Sequence, residues 1–240
     1  MTTAMKKLGL LAFPFVVACA LGSTGYPTPK SDAGTTDAAI KDGSTPKDSG
    51  SCKTAPPSNV CGVSPQCGCG ANETCYVTDA TGTVACIGAG SKPMGSSCKS
   101  TSECALGLTC ELSACHAFCN QGSCSDPKTT SCVDLQDGNG GTVPNDSICR
   151  IKCSLDSPST ACGTGNCTPI NNGAETDCIG AGTSTTCSSS NPWACQQGAV
   201  CLTDNTCHKW CKVGSSCLSG SCQALNPSIN VDGVDYGVCP

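Results

Sequence analysis

Apolar residues fall into three regimes along this 240-residue chain. Leu8 to Val17 is a continuous apolar run behind Lys6 and Lys7. It is too short to cross a membrane as a helix and has the form of a secretory leader. From Ala20 to Ser51 the residues are mostly Ser, Thr, Asp, Ala, Gly, Pro and Lys, with no apolar periodicity. That composition predicts a flexible tether with an r.m.s. span on the order of 30 Å. Beyond Cys52 apolar positions come in brief β-type runs punctuated by turn residues. Tyr76-Val77-Thr78 and Thr83-Val84 flank Asp79-Ala80-Thr81-Gly82, which predicts a hairpin, and Asn171-Asn172-Gly173 is the matching turn later in the chain. A second hairpin is predicted from Val133-Asp134-Leu135-Gln136 through Asp137 to Gly141 and back towards Ser147-Ile148. Its counterpart runs through Asn230-Val231-Asp232-Gly233 to Tyr236. The stretches between have cysteine spacings too short for helices of ordinary length. They predict loops with at most one-turn helices.

Composition changes this picture. Only 35 residues are Leu, Ile, Val or Phe, a fraction that ordinarily leaves a chain unfolded because too little apolar area is buried to offset its entropy. The chain also holds 27 cysteines, and in an exported protein such a density marks a disulfide scaffold. Covalent links, which restrict the unfolded ensemble, then take the place of a large apolar core. The expected class is a small disulfide-rich fold: two tandem loop-and-β-hairpin cysteine-rich repeats with little helix.

The duplication is read from the cysteine spacing. Cys75 to Cys86 and Cys167 to Cys178 are equally spaced, and each is followed by Ile-Gly-Ala-Gly, at Ile87 to Gly90 and Ile179 to Gly182. Cys132 to Cys149 and Cys222 to Cys239 match at the other end. Between these anchors Cys98, Cys104, Cys110, Cys115, Cys119 and Cys124 correspond to Cys187, Cys195, Cys201, Cys207, Cys211 and Cys217. Chance does not easily produce such an alignment. With Cys61 opening the first set, and Cys153 and Cys162 the second, each repeat has twelve cysteines. Cys52 and one of Cys67 or Cys69 are extra and are expected to pair with each other. Spacing alone leaves connectivity open. The expectation for the middle is interleaved: Cys98 with Cys110 and Cys104 with Cys115, then Cys187 with Cys201 and Cys195 with Cys207. The chain divides at 1–18 (leader), 19–51 (tether), 52–149 and 150–240 (repeats).

The leader ends in Val16-Val17-Ala18-Cys19, which resembles a bacterial lipobox. The resemblance implies cleavage before Cys19 and lipidation of its thiol. An ordinary signal peptide cleaved nearby is the alternative. Setting Cys19 aside leaves an even number of cysteines, which can pair completely. Ala20 follows, not the Asp associated with inner-membrane retention, so an outer-membrane or cell-surface location is expected. The run from Gly95 to Cys115, G-S-S-C-x5-C-A-x-G-L-x-C-x4-C, resembles the N-terminal cysteine-rich domain of Dickkopf proteins. The match covers about 25 residues of each repeat and is weaker in the second, where Gln196 to Val200 replace Ala105 to Thr109. The whole layout is similar to cysteine-rich lipoproteins abundant in myxobacteria. These likenesses imply a scaffold and a compartment; they carry no activity.

The only histidines, His116 and His208, occupy equivalent C-H-x-[Phe/Trp]-C positions beside Phe118 and Trp210. Zinc needs thiolates, which an oxidising compartment removes, and neither His follows the C-x-x-C spacing of haem attachment. The readings that remain are packing, with Phe118 and Trp210 on disulfides and each His at the wet edge, or a contact surface for a ligand. Asp134, Asp137 and Asn139, and Asp232 and Asp235, offer calcium-type oxygens. Their spacing is not that of an EF-hand, and Asp-Gly is what a tight turn requires. No nucleophile-elbow, metalloprotease, Walker A or dinucleotide motif occurs, and no metal or cofactor is expected. A net charge of −5 and a pI near 4.8 disfavour nucleic acid. The expected role is a surface-anchored, non-enzymatic module binding an envelope or extracellular protein or polysaccharide. A protease inhibitor using Lys92-Pro93-Met94 or Leu155-Asp156-Ser157-Pro158 is the alternative, and a secreted hydrolase a remote one.

Overall fold

The computed structural model describes residues 61–119, 124–137, 139–188 and 190–240. The expected leader, the expected lipidation position Cys19, the expected tether and Cys52 lie outside the described residues. What is described is almost entirely small antiparallel hairpins, with one four-residue α-helix at Ser159–Cys162 and three single 3-10 turns.

The twelve described disulfides reduce the two repeats to one smaller unit used six times. In each block of four cysteines the first pairs with the third and the second with the fourth. The blocks are 61–86, 98–115, 119–149, 153–178, 187–207 and 211–239. No described bridge leaves its block. The four interleaved pairs expected for the middle are those observed. Because Cys69 takes Cys86, the extra cysteine is Cys67, which is disulfide-bonded as well.

Each block is wired to a hairpin. In five of the six blocks the third and fourth cysteines face each other across an antiparallel ladder, as Cys75 with Cys86, Cys110 with Cys115, Cys132 with Cys149, Cys167 with Cys178 and Cys201 with Cys207. Directly opposed side chains leave the same face of a ladder. Both sulfurs therefore point the same way and reach back to the two upstream cysteines. The bridged residues are 11 to 25 apart, and each such closure is worth roughly 3 kcal/mol against the unfolded chain. A two-stranded hairpin is marginal alone in water; two staples support each hairpin, and those of the last two blocks also join in one four-stranded sheet.

The hairpins expected at 76–84 and 133–148 are present, as Glu73–Val77 with Val84–Gly88 and Thr129–Gln136 with Thr142–Ile151. Gln223–Val231 and Val234–Val238 close on Asp232-Gly233, both at positive φ, the backbone of a tight I′ turn. The middle blocks depart from expectation. Instead of loops alone, Leu108–Glu111 pairs with Ala114–Ala117, and Ala199–Cys201 with Cys207–Lys212.

The repeated Ile-Gly-Ala-Gly has a structural cause. The backbone of Gly90 runs against that of Glu103 and Cys104, with Gly90 N donating to Cys104 O at 2.7 Å; Gly182 does the same to Cys195 at 2.9 Å. A Cβ at either glycine would collide with the main chain of Glu103 or Ala194. The second glycine is what lets the first hairpin of each repeat hand the chain to the next block.

The largest apolar cluster does not respect the repeat boundary. Ala114 of the first repeat and Ile151 of the connection pack with Leu155, Trp210, Ile229 and Tyr236 of the second. Half-cystines complete that cluster, as they do a smaller one around Val63, Val77 and Val143.

Candidate functional site

His116 is fully buried, which corrects its placement at a wet edge; His208 keeps partial exposure. Its strand, Ala114–Ala117, presses it between the end of the first repeat and the first hairpin of the second. Nδ1 lies 3.2 Å from the Cys149 carbonyl oxygen and Nε2 3.0 Å from the Cys178 carbonyl oxygen. Carbonyl oxygens only accept, so both contacts are hydrogen bonds when both ring nitrogens carry a proton. The Asp177 carboxylate lies 3.8 Å from Nδ1 and is buried beside the ring. Its Oδ1 accepts from the amides of Ile151 at 2.9 Å and Cys178 at 2.8 Å. Burial pushes the Asp177 carboxyl above its ordinary range, against the opposing pull of His116, the two amides and Arg150.

Other bonds across this joint come from short side chains. Ser97 N donates to Thr164 Oγ1, and Ser97 Oγ both donates to the Thr164 carbonyl and accepts from Ala181 N. Gly180 N donates to Leu112 O at 2.9 Å. Arg150 reaches Glu175 at 2.6 Å. The joint is a continuous hydrogen-bonded seam.

His208 occupies the same register and a different world. Its Nδ1 again faces the last half-cystine carbonyl of its own repeat, Cys239 O at 3.2 Å. Its Nε2 meets the exposed carboxylate of Asp204 at 2.8 Å in place of a neighbouring repeat. That carboxylate raises the His208 pKa above its ordinary value, and His208 lowers that of Asp204.

The aromatic positions pack on half-cystines. Trp210 is buried in the cluster containing Cys153, Cys162, Cys167 and Cys178, and Phe118 lies half-buried against Cys61, Cys69, Cys75 and Val143. As a contact set the four residues come apart: His116 and Trp210 are inaccessible, whereas His208 and Phe118 keep partial exposure.

The two candidate inhibitor loops are anchored to the fold. Leu155 is wholly buried in the main cluster. Lys92 is bridged in backbone to Cys104, its ammonium held by Glu103 at 2.7 Å and by the Ser97 carbonyl, and Met94 packs on the main cluster.

The acidic turns spend their oxygens on themselves. Asp137 Oδ1 accepts from the amides of Asn139 and Gly141, and Asp134 accepts from Ser147. Asp232 pairs with Lys152 and Asp235 with Asn230. The groups of three sulfurs lying within 4.8 Å are each one bridge plus a half-cystine of its neighbour, so they are not thiolate sets.

One feature carried no sequence signal. Glu111, at the end of its strand and half-buried, faces the buried Asp146; burial first, then that carboxylate, push its pKa up to about 8.

Comparisons of the chain with protein-family models, with curated proteins and with solved structures return no match.

Proposed function

We propose that the chain is a non-enzymatic binding or structural module, exported and held by a lipid on Cys19 at the outer membrane or cell surface of a bacterial envelope. The observation that carries this reading is the use of the reactive inventory as structure. His116, Asp177, Arg150 and Glu175 hold the joint, and the described cysteines are in bridges. Rigid stapled hairpins present a fixed surface with little ordering cost on binding. The ligand is an envelope or extracellular protein or polysaccharide. The tether predicted at 19–51 supplies reach from the membrane, and the likeness to myxobacterial cysteine-rich lipoproteins belongs to the same proposal.

Two experiments test it. Cys19→Ala moves the chain from the membrane fraction to the soluble one if the anchor reading is right, and leaves it in place otherwise. Immobilised lipid-free chain retains a specific envelope or matrix component if the binding reading is right. Retention of nothing, together with turnover of a substrate, contradicts it.

A further inference from the structure

The 61–86 block can be wired in two ways. The sulfurs of Cys61, Cys69 and Cys86 lie within 4.8 Å of one another, so the 61–75 bridge sits against the 69–86 bridge. Cys75 and Cys86 are direct partners across the hairpin. Antiparallel partners have Cα atoms about 4.5–5.5 Å apart, inside the range that a disulfide spans. The same four cysteines can therefore join as 61–69 and 75–86 in place of 61–75 and 69–86.

Access singles out this block. Cys86 is the one exposed half-cystine among the described residues. The corresponding block in the second repeat has the same sulfur cluster, Cys153, Cys162 and Cys178, and the same facing pair, Cys167 with Cys178. All four of its half-cystines are buried. Geometry is shared and exposure is not.

We propose that the 61–86 block is a thiol-operated switch between these two wirings, with a low-molecular-weight thiol as the trigger. The external thiolate attacks Cys86 Sγ, forming a mixed disulfide and releasing Cys69 as thiolate. Cys69 attacks the adjacent Cys61 Sγ, which forms 61–69 and expels the Cys75 thiolate. Cys75 attacks Cys86 Sγ across the hairpin, forms 75–86 and regenerates the external thiolate. Two disulfides are present before and after, so no oxidant or reductant is consumed and the thiol is catalytic. The crossed wiring ties the Glu73–Gly88 hairpin to the segment before it. The second wiring closes the hairpin on itself and frees it from that segment.

The test uses the oxidised full chain and a substoichiometric monothiol at mildly alkaline pH, with acid quenching at intervals. Disulfides are then mapped by mass spectrometry without reduction. The expected result is that peptides joined through Cys61–Cys69 and Cys75–Cys86 rise from none to a plateau, with no net gain of free thiol. The bridges 153–167 and 162–178 stay intact over the same period. An unchanged 61–86 block, a thiol adduct that merely accumulates on Cys86, or new bridges recruiting Cys67 or another block would each overturn the proposal. In the double variant Cys61→Ser/Cys75→Ser the neighbouring bridge is gone, and the expected product is the Cys86 adduct alone.

Discussion

The 61–86 and 153–178 blocks have the same crossed pairing and the same Ile-Gly-Ala-Gly tail. In the first, Cys86 and Gly88 are exposed; in the second, every residue from Thr176 to Gly180 is buried. The carboxylate that meets His116 is Asp177, and its equivalent in the first block is Ala85. Covalent wiring is thus held constant while position decides what the wiring supports. One block is an outer hairpin held by its staples. The other is the hub on which the end of one repeat, a connection and the rest of the next repeat close. A cysteine ladder specifies the parts; a handful of side chains specifies the assembly.

Substitutions that remove the hub's contacts without touching a cysteine should break this comparison. The largest effect is expected at His116. Replacing it with Phe keeps ring volume but removes the ring nitrogens from the Cys149 and Cys178 carbonyls and from Asp177, a loss of about 3 kcal/mol in denaturant unfolding. The same change at His208 should cost about 0–1 kcal/mol, because its partner Asp204 is exposed. Equal losses at the two positions would contradict the assignment of the joint.

Gly180→Ala comes next. A Cβ at Gly180 lands on Ser113 across the joint, whereas one at Gly88 meets nothing within 4 Å. The expected costs are about 1–3 kcal/mol for overpacking at Gly180 and within roughly 0.5 kcal/mol at Gly88. Thermal unfolding of the two variants gives the answer directly.

Glu111 sharpens the comparison between the middle blocks, since Leu202 follows the equivalent cysteine in the second repeat. A carboxyl whose folded pKa is raised to about 8 from 4.5 is penalised in the folded state as pH climbs through that interval, fully so above it. Glu111→Gln should therefore stabilise the chain at pH 8 by about 1–4 kcal/mol and change nothing at pH 4. A stabilisation independent of pH would place its cause elsewhere.

The smallest effect concerns His208. Its raised pKa means the pair with Asp204 contributes below the ordinary His value and fades as pH rises through the folded one. In Asp204→Asn the His208 resonance should titrate at lower pH than in the parent chain. An unmoved titration would remove Asp204 as the cause.

Much of the fold is legible in the cysteines. Their equal spacings, the repeated Ile-Gly-Ala-Gly and the Asp-Gly turns locate two like sets and their outer hairpins. The hairpin at Leu108–Ala117 is not legible, because its turn residues Leu112 and Ser113 take positive φ without the Gly or Asn that ordinarily announces it. The joint is hidden for a different reason. Ser97, Thr164, Asp177 and His116 are ordinary polar residues whose meeting depends on how two stapled hairpins stack, and no local periodicity encodes that. Equal register made His116 and His208 look alike, yet the Cys178 hairpin closes on the first and the Asp204 carboxylate on the second.

Partial reduction, labelled cysteine by cysteine, tests most directly the claim that one wiring serves two environments. The oxidised chain is treated with graded phosphine at acid pH, where scarce thiolates suppress exchange, and newly freed thiols are alkylated and mapped. The account predicts that Cys69 and Cys86 are labelled first and that Cys153, Cys162, Cys167 and Cys178 are labelled last, only as the whole fold is lost. Release of the 153–178 bridges before the 61–86 bridges, or of all twelve described bridges at one rate, would contradict it.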